Sequence, residues 1–347
     1  MNWNEKNVLV TGGASFIGSH LVDALVKREV KSIRVIDNLS SGKQENIQKH
    51  INSGQVNFVL GNLLNKKDAK NSLHGIDIVF HLAADHGGRG YVDLHQVACG
   101  QNLWLDGQFF ALCQGQEIEK VIYASSGCIY PNYKQTDLSQ ELYLKEEDDG
   151  RTGGYDSDNL YGWAKLMAEF TLQAYYKERG MKAASLRFFT VYGERGKEDH
   201  AIIAMIARAF VRQDPFEIWG DGQQIRNWTN VSDIVEGFIK AAEKIENGRA
   251  INLGTNERIR VFDAAQEVVD YVQKKYYPDY EPQFKFLKDM PTGPVNRVAD
   301  NSLAKALLGW EPKVKFLDGL QKTIDWYFNS RNIDVVRKIV KEGLTER

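Results

Sequence analysis

Val8-Leu9-Val10-Thr11-Gly12-Gly13-Ala14-Ser15-Phe16-Ile17-Gly18 reads as a buried strand, a glycine turn and the start of a helix. The β-branched apolar run suits a strand covered on both faces. Glycines let the backbone turn tightly and approach a pyrophosphate. The helix amino terminus adds free N–H groups and the positive end of its dipole. Ser15 stands where a Gly-x-x-Gly-x-x-Gly turn carries glycine, and its hydroxyl is available to phosphate. The next apolar run, Ile33-Arg34-Val35-Ile36, closes on Asp37. A carboxylate about 20 residues after the turn bonds both ribose hydroxyls of a dinucleotide and repels a 2′-phosphate. Strand, turn and spaced acid together point to NAD.

Working outward, Val56–Leu60, Ile78-Val79-Phe80, Val121-Ile122-Tyr123-Ala124 and Ala184–Phe189 repeat the buried-strand pattern, with amphipathic segments at 16–28, 66–73 and 92–114. Such alternation predicts right-handed βαβ units in an α/β, doubly wound parallel (Rossmann) sheet. The clearest helix is 159–179, where Leu160, Trp163, Met167, Phe170 and Ala174 recur at helical spacing and Gly180 ends the run. Beyond Tyr192 the alternation breaks down, and 193–230 and 275–312 hold most of the prolines without a strict period. A helix near 232–246 and the strand Ile251-Asn252-Leu253 return to the sheet. The expected division is an NAD-binding domain over 1–190 with a return segment at about 231–255, and a smaller carboxy-terminal substrate-binding domain from 191–230 and 256–347. The charge run Lys145–Asp149 reads as a solvated loop.

Composition narrows the class. Among 347 residues, 44 Lys and Arg face 46 Asp and Glu, so no global field favours nucleic acid or an anionic membrane. Mean hydropathy is −0.42 and no apolar run is long enough to span a bilayer. Met1–Lys6 lacks a secretory apolar stretch, and the expected location is the cytoplasm. Cys99, Cys113 and Cys128 are an odd set without Cys-x-x-Cys spacing, which argues against a disulfide scaffold or a zinc cluster, and no metal is expected. Cys99 and Cys113 lie in helical sequence and read as core.

In doubly wound sheets chemistry sits beyond the carboxyl ends of the strands. Ser125-Ser126-Gly127-Cys128-Ile129-Tyr130-Pro131 follows one such strand, and Tyr161-Gly162-Trp163-Ala164-Lys165 opens the long helix. Tyr161 and Lys165 are four apart and share a helix face. An ammonium beside a phenol favours the phenolate, and the Ser126 hydroxyl completes a proton relay.

Thr11–Gly18, Asp37, His81-Leu82-Ala83-Ala84, Ser125-Ser126, Tyr161 with Lys165, and Arg187-Phe188 together resemble the extended short-chain dehydrogenases/reductases of the NAD-dependent epimerase/dehydratase family, over essentially the whole chain. The resemblance implies a tightly held NAD and a nucleotide-diphosphate sugar, with Tyr161 as the base that oxidises a sugar hydroxyl and Lys165 on the nicotinamide ribose. It implies cofactor contacts at Gly12, Ser15, Phe16, Ile17, Gly18, Asp37, Asn38, Asn62, Leu63, Leu82, Ala83, Ala84, Tyr161 and Lys165. It also implies a homodimer formed through helices near 94–114 and 159–179, with Leu103, Trp104, Phe109 and Phe110 as candidate contacts.

Dehydratases of the family carry an Asp-Glu pair where this chain has Gly127-Cys128. Ser-Ser-Gly-Cys-Ile-Tyr-Pro, Leu82–Tyr91 and Glu217–Arg226 instead resemble the GDP-mannose 3,5-epimerase branch, in which the cysteine is an acid/base. That resemblance makes Ser126, Tyr161, Lys165 and Cys128 catalytic. A second acid/base is then expected at His200, or at Lys197. Substrate contacts are expected at Gly87, Gly88, Arg89, Ser126, Thr190, Arg208, Gln224, Arg226 and Arg297, the glycines allowing close approach to a hexose. The expected reaction is oxidation at C4, which acidifies the hydrogens at C3 and C5, then epimerisation there and return of the hydride. The alternatives are a UDP-sugar 4-epimerase of the UDP-glucose or UDP-glucuronate type, or a dehydratase or decarboxylase on the same scaffold.

Overall fold

The computed structural model describes residues 1–116, 118–149 and 156–342. Its first half alternates strand and helix: β1 (Asn7–Thr11), α1 (Phe16–Lys27), β2 (Ser32–Asp37), α2 (Gln48–Asn52), β3 (Val56–Leu60), α3 (Lys66–Ser72) and β4 (Ile78–His81). Three short helices follow, α4 (Arg89–Leu94), α5 (Gln96–Gly100) and α6 (Asn102–Gly115). Then come β5 (Lys120–Ser126), α7 (Asn159–Arg179) and β6 (Lys182–Phe188). The second half begins with β7 (Thr190–Tyr192), α8 (Ala201–Phe210), β8 (Phe216–Trp219), β9 (Ile225–Arg226) and β10 (Trp228–Asn230). It continues through α9 (Val231–Lys244), β11 (Asn247–Leu253), β12 (Ile259–Arg260), α10 (Val261–Lys275), β13 (Phe284–Leu287) and β14 (Asn296–Arg297). Helices α11 (Ser302–Leu308), α12 (Phe316–Ser330) and α13 (Ile333–Lys341) complete it.

Seven strands form one parallel sheet in the order β11-β6-β5-β4-β1-β2-β3, a doubly wound α/β fold. Strand order reverses between β1 and β4, which pair from Val8↔Ile78 to Thr11↔His81, and the carboxyl ends open a crevice there. Apolar clusters cover both faces: Val8, Val10, Phe80, Ile122 and Phe238 on one side, Leu9, Val79, Phe109, Tyr123 and Leu172 on the other. β3 is an edge strand, and Leu60 at its end is exposed.

One helix expectation is corrected and one holds. The segment read as one helix over 92–114 is three, broken at His95 (ψ 52°), whose ring stacks on Tyr91 at 4.3 Å. Helix α7 runs over 159–179 as expected, and its apolar stripe is partly outward: Leu160 and Met167 are each 42% exposed and Ala174 is exposed, while Trp163 and Phe170 pack on a small apolar cluster. The helix buries Gly162, Ala164, Lys165, Leu166, Ala168, Glu169 and Leu172. Small residues allow close approach, since a Cβ on Gly162 would strike the Cys128 carbonyl. The two charges are buried because each finds partners beneath the helix.

The run Lys145–Asp149 is not a solvated loop. Glu146 accepts the Asn252 N–H at 2.8 Å, and buried Asp149 pairs with Arg187 at 2.9 Å. Arg187 also meets Glu169 at 2.6 Å, and Tyr130 completes the network with Asn252 at 2.6 Å. Carboxylates from two distant segments thus balance one buried guanidinium, which spacing alone does not reveal.

Beyond Tyr192, small two- and three-stranded sheets pack with α8, α10 and α12 around a separate core of Ile206, Phe216, Trp228, Val268 and Tyr327. Helix α8 lies where no period was legible because its residues from Ile202 to Phe210 are all buried, Arg208 included, so the apolar positions do not mark a single face. No helix among the described residues is long and apolar enough to cross a membrane.

Candidate active site

The crevice holds two joined hollows. One, of about 270 Å³, is lined by Gly12, Asp37, Asn38, Asn62, Leu63 and Ala83 among others. The other, of about 340 Å³, contains Phe16, Ile17, Ser126, Cys128, Tyr161 and Lys165. Ser15, Ser41, Leu82, Ala84 and His86 line both and form the neck between them. Gly12 has φ +68°, and a Cβ there would sit 3.0 Å from the Ala83 nitrogen. Gly18 lines neither hollow; its missing side chain lets α1 pack on the Gly12 carbonyl.

Ser15 begins α1 without capping it, because its hydroxyl donates to the Gly12 carbonyl at 2.6 Å. The first N–H groups of α1 are therefore left to an anion. Asp37 accepts from the Ala14 and Leu39 N–H groups at 3.0 and 2.8 Å, which fixes its carboxylate at the end of β2. A buried relay underpins the opposite wall. Thr11 Oγ1 accepts from the Leu82 and Ala83 N–H groups, both at 3.1 Å, so its own proton goes to His81 Nδ1 at 2.8 Å. His81 is then the Nε2–H tautomer, donating to Asp106 at 3.0 Å, and burial lowers its pKa as a neutral ring requires. Asp106 also accepts from Tyr123 at 2.6 Å.

Ser126 ends β5, and its hydroxyl accepts the Cys128 N–H at 3.1 Å and hydrogen-bonds Tyr161. Lys165 Nζ donates to the Ala124 carbonyl at 2.9 Å and lies 4.7 Å over the Tyr123 ring, but 5.8 Å from the Tyr161 ring centre. The expected phenolate is therefore corrected for this arrangement. Withdrawal from water raises the Tyr161 phenol and lowers the Lys165 ammonium, and the Ser126 bond offsets the former only in part. The Cys128 thiol behaves likewise. Burial and the Asp158 carboxylate push its pKa up, against Arg297, whose Nη1 is 3.4 Å from the sulfur. It rests as a neutral thiol.

Sequence reasoning missed Asp158, the residue at which α7 begins. It is buried and accepts from Arg89 Nη1 at 2.7 Å and Arg297 Nη1 at 3.0 Å. Burial alone raises its pKa, but the two guanidiniums hold it at about 2. A carboxylate at a helix start reads as an ordinary cap, and the sequence gives no sign that two distant arginines converge on it.

Thr190, Arg208, Gln224 and Arg226 line the same hollow as Arg89 and Arg297. Arg208 Nε, Arg297 Nη2 and Gln224 Oε1 are buried without a hydrogen-bond partner. Burial, with Arg297 and Arg89 close by, pushes Arg226 down to about 9, and burial pushes Arg208 to about 10. Clustered, under-partnered guanidiniums fit a diphosphate, whose oxygens match their fork. Gly87 and Gly88 also line the hollow, but their lack of side chains serves the protein itself: a Cβ would strike Tyr91 or the Asp199 carbonyl. The two candidates for a second acid/base separate. His200 packs 6.3 Å from the His86 ring, whereas Lys197 reaches Ser41 at the neck, at 3.3 Å.

Residues 8–254 match the NAD dependent epimerase/dehydratase family. The chain is 30% identical over 331 residues to GDP-mannose 3,5-epimerase of Arabidopsis thaliana, covering 93% of this chain and 83% of that protein. It is 31% identical over 338 residues to UDP-N-acetyl-alpha-D-glucosaminuronate decarboxylase of Bacillus cytotoxicus, covering 94% and 99%. The crystal structure of UDP-glucuronic acid 4-epimerase from Bacillus cereus with UDP-glucuronic acid and NAD superposes with a TM-score of 0.80 at 29% identity, covering 92% and 98%. A dinucleotide crevice with Asp37 at its far end, a Ser-Tyr-Lys set at its near end and guanidiniums beyond agree with that match: the chain belongs to the NAD dependent epimerase/dehydratase family, enzymes that use NAD on nucleotide sugars.

Proposed function

We propose that this enzyme epimerises a nucleotide-diphosphate hexose at C3 and/or C5 after transient oxidation at C4, with GDP-mannose as the substrate best supported. The observation that carries this reading is Cys128, a neutral thiol on the wall of the hollow it shares with Tyr161, in the place where a dehydratase carries an acid. Similarity to GDP-mannose 3,5-epimerase supports it further. NAD, when bound, supplies the hydride acceptor and a positive charge beside Tyr161. With the charges of bound NAD and Lys165 favouring loss of its own proton to solvent, Tyr161 would take the C4 hydroxyl proton as a phenolate, with Ser126 orienting both groups. The C4 ketone acidifies the neighbouring C–H bonds. His200 removes such a hydrogen on one face and the Cys128 thiol delivers a proton on the other. Arg208, Arg226 and Arg297 hold the diphosphate. Two copies pair through α6 and α7, whose outward residues include Leu103 at 45% and Trp104 at 67% exposure, beside Leu160 and Met167. Phe109 and Phe110 are core, so they play no part in that face.

The test is to incubate the purified protein with GDP-, UDP-, dTDP- and CDP-sugars in heavy water and read deuterium on each sugar carbon by NMR. GDP-mannose gaining deuterium at C3 or C5 is the expected result. Inversion at C4 of a UDP-sugar without solvent label establishes the 4-epimerase instead, and release of carbon dioxide establishes a decarboxylase.

A further inference from the structure

Residues 194–200 cross from the smaller sheets onto the dinucleotide crevice and are tied down along their length. His20 Nε2 donates to the Glu194 carbonyl at 2.9 Å. Arg195, at φ +63°, reaches α1, with Nη1 on Ser19 Oγ at 3.1 Å and Nη2 on Asp23 Oδ2 at 2.6 Å. Lys197 Nζ donates to Ser41 Oγ at 3.3 Å, and Asp199 Oδ2 accepts the Gly88 N–H at 3.1 Å.

Ser41 belongs to the neck between the two hollows. A dinucleotide with its adenosine ribose at Asp37 and its nicotinamide at Tyr161 must pass its diphosphate through that neck. None of the described residues lining both hollows is Lys or Arg. The larger hollow is also lined by Arg89, Lys165, Arg208, Arg226 and Arg297, and Lys197, which lies near the Asp199 carboxylate, reaches the neck through Ser41.

We propose that Lys197 is a ligand of the NAD diphosphate, carried on a strap (residues 194–200) that retains the cofactor, and not a proton carrier for the sugar. An ammonium beside two phosphate charges in a partly closed neck makes a charge-assisted bond. The free N–H groups at the start of α1 supply the other donors, so the diphosphate is gripped by both. Arg195 and Asp199 fix the strap at either side of Lys197, and NAD leaves only when these contacts part.

The experiment compares wild type, Lys197→Ala and Arg195→Ala. Bound NAD is measured after denaturation, and the dissociation constant and release rate are measured on protein stripped and reloaded. Lys197→Ala is expected to weaken NAD binding roughly tenfold, as loss of one charged contact does, and to flatten its salt dependence. Arg195→Ala, which removes an anchor and no phosphate contact, is expected to speed NAD release. At saturating NAD, Lys197→Ala recovers solvent-deuterium incorporation into the sugar. Wild-type NAD affinity in Lys197→Ala overturns the proposal. So does a fall in melting temperature of the NAD-free variant matching its lost affinity, or deuterium incorporation that saturating NAD does not restore. The NAD measurements need no sugar, so they stand or fall separately from the choice of substrate.

Discussion

Burial, and then Asp158, keep the thiol proposed to move protons protonated. The Asp158 carboxylate raises the Cys128 thiol while drawing in Arg89 and Arg297, the groups that would lower it. Asp158→Asn is therefore expected to shift iodoacetamide alkylation of Cys128 to lower pH. Cys99 and Cys113 are fully buried and give little background. An unmoved alkylation profile removes Asp158 from this role. Tyr161→Phe is expected to lower turnover about 10²–10⁴-fold at saturating NAD, the usual worth of a positioned acid/base; undiminished turnover excludes Tyr161 as the base. These residues were legible because each sits in a local pattern: turn, spaced acid, four-residue helix step. Asp158 was not, since its meaning comes from arginines 69 and 139 positions away.

At the scale of elements, α7 was legible as a helix from its apolar stripe, but that stripe does not show which face turns inward, because this helix buries Lys165 for chemistry and Glu169 for charge balance. Glu169 meets Arg187, a contact that also fixes the Tyr130 side of the turn carrying Cys128. Glu169→Gln is expected to destabilise the fold by about 3 kcal/mol, since removing one partner of a buried pair strands the other, with Asp149 softening the loss. Chemical denaturation measures it, and a change within experimental error contradicts the network. Gly88→Ala forces apart α4 and the strap at Asp199, and is expected to raise the KM for substrate while leaving the isolated fold stable. Strands were read well because buried parallel strands are continuous apolar runs. Helix α8 escaped for the converse reason, being buried from Ile202 to Phe210, Arg208 included.

Across the whole molecule, the parallel sheet and its switch point were legible from alternation, while the second core was not, because short strands paired over long separations leave no local period. Charge placement also sets the acid stability. Against burial, His50, Arg195 and Lys49 hold Asp23 at about 2, and Arg89 and Arg297 hold Asp158 there too. Carboxylates depressed in the fold stabilise it above their ordinary pKa of 3.8, and that stability is lost as pH falls from near 4 through about 2. His20 acts in a higher window. Burial and Arg195 lower it to about 4, so from 6.5 downward the unfolded chain takes up a proton that the native state refuses, and stability falls. Melting temperatures are expected to drop in both windows, and His20→Gln is expected to flatten part of the upper slope only. The most direct measurement of the central claim is Cys128→Ala mixed with GDP-mannose in heavy water, following reduced nicotinamide by absorbance and sugar C–D by NMR. The account predicts that nicotinamide is reduced and that any deuterium entering C3 or C5 keeps the original configuration, with no inversion; inversion at the wild-type rate contradicts it.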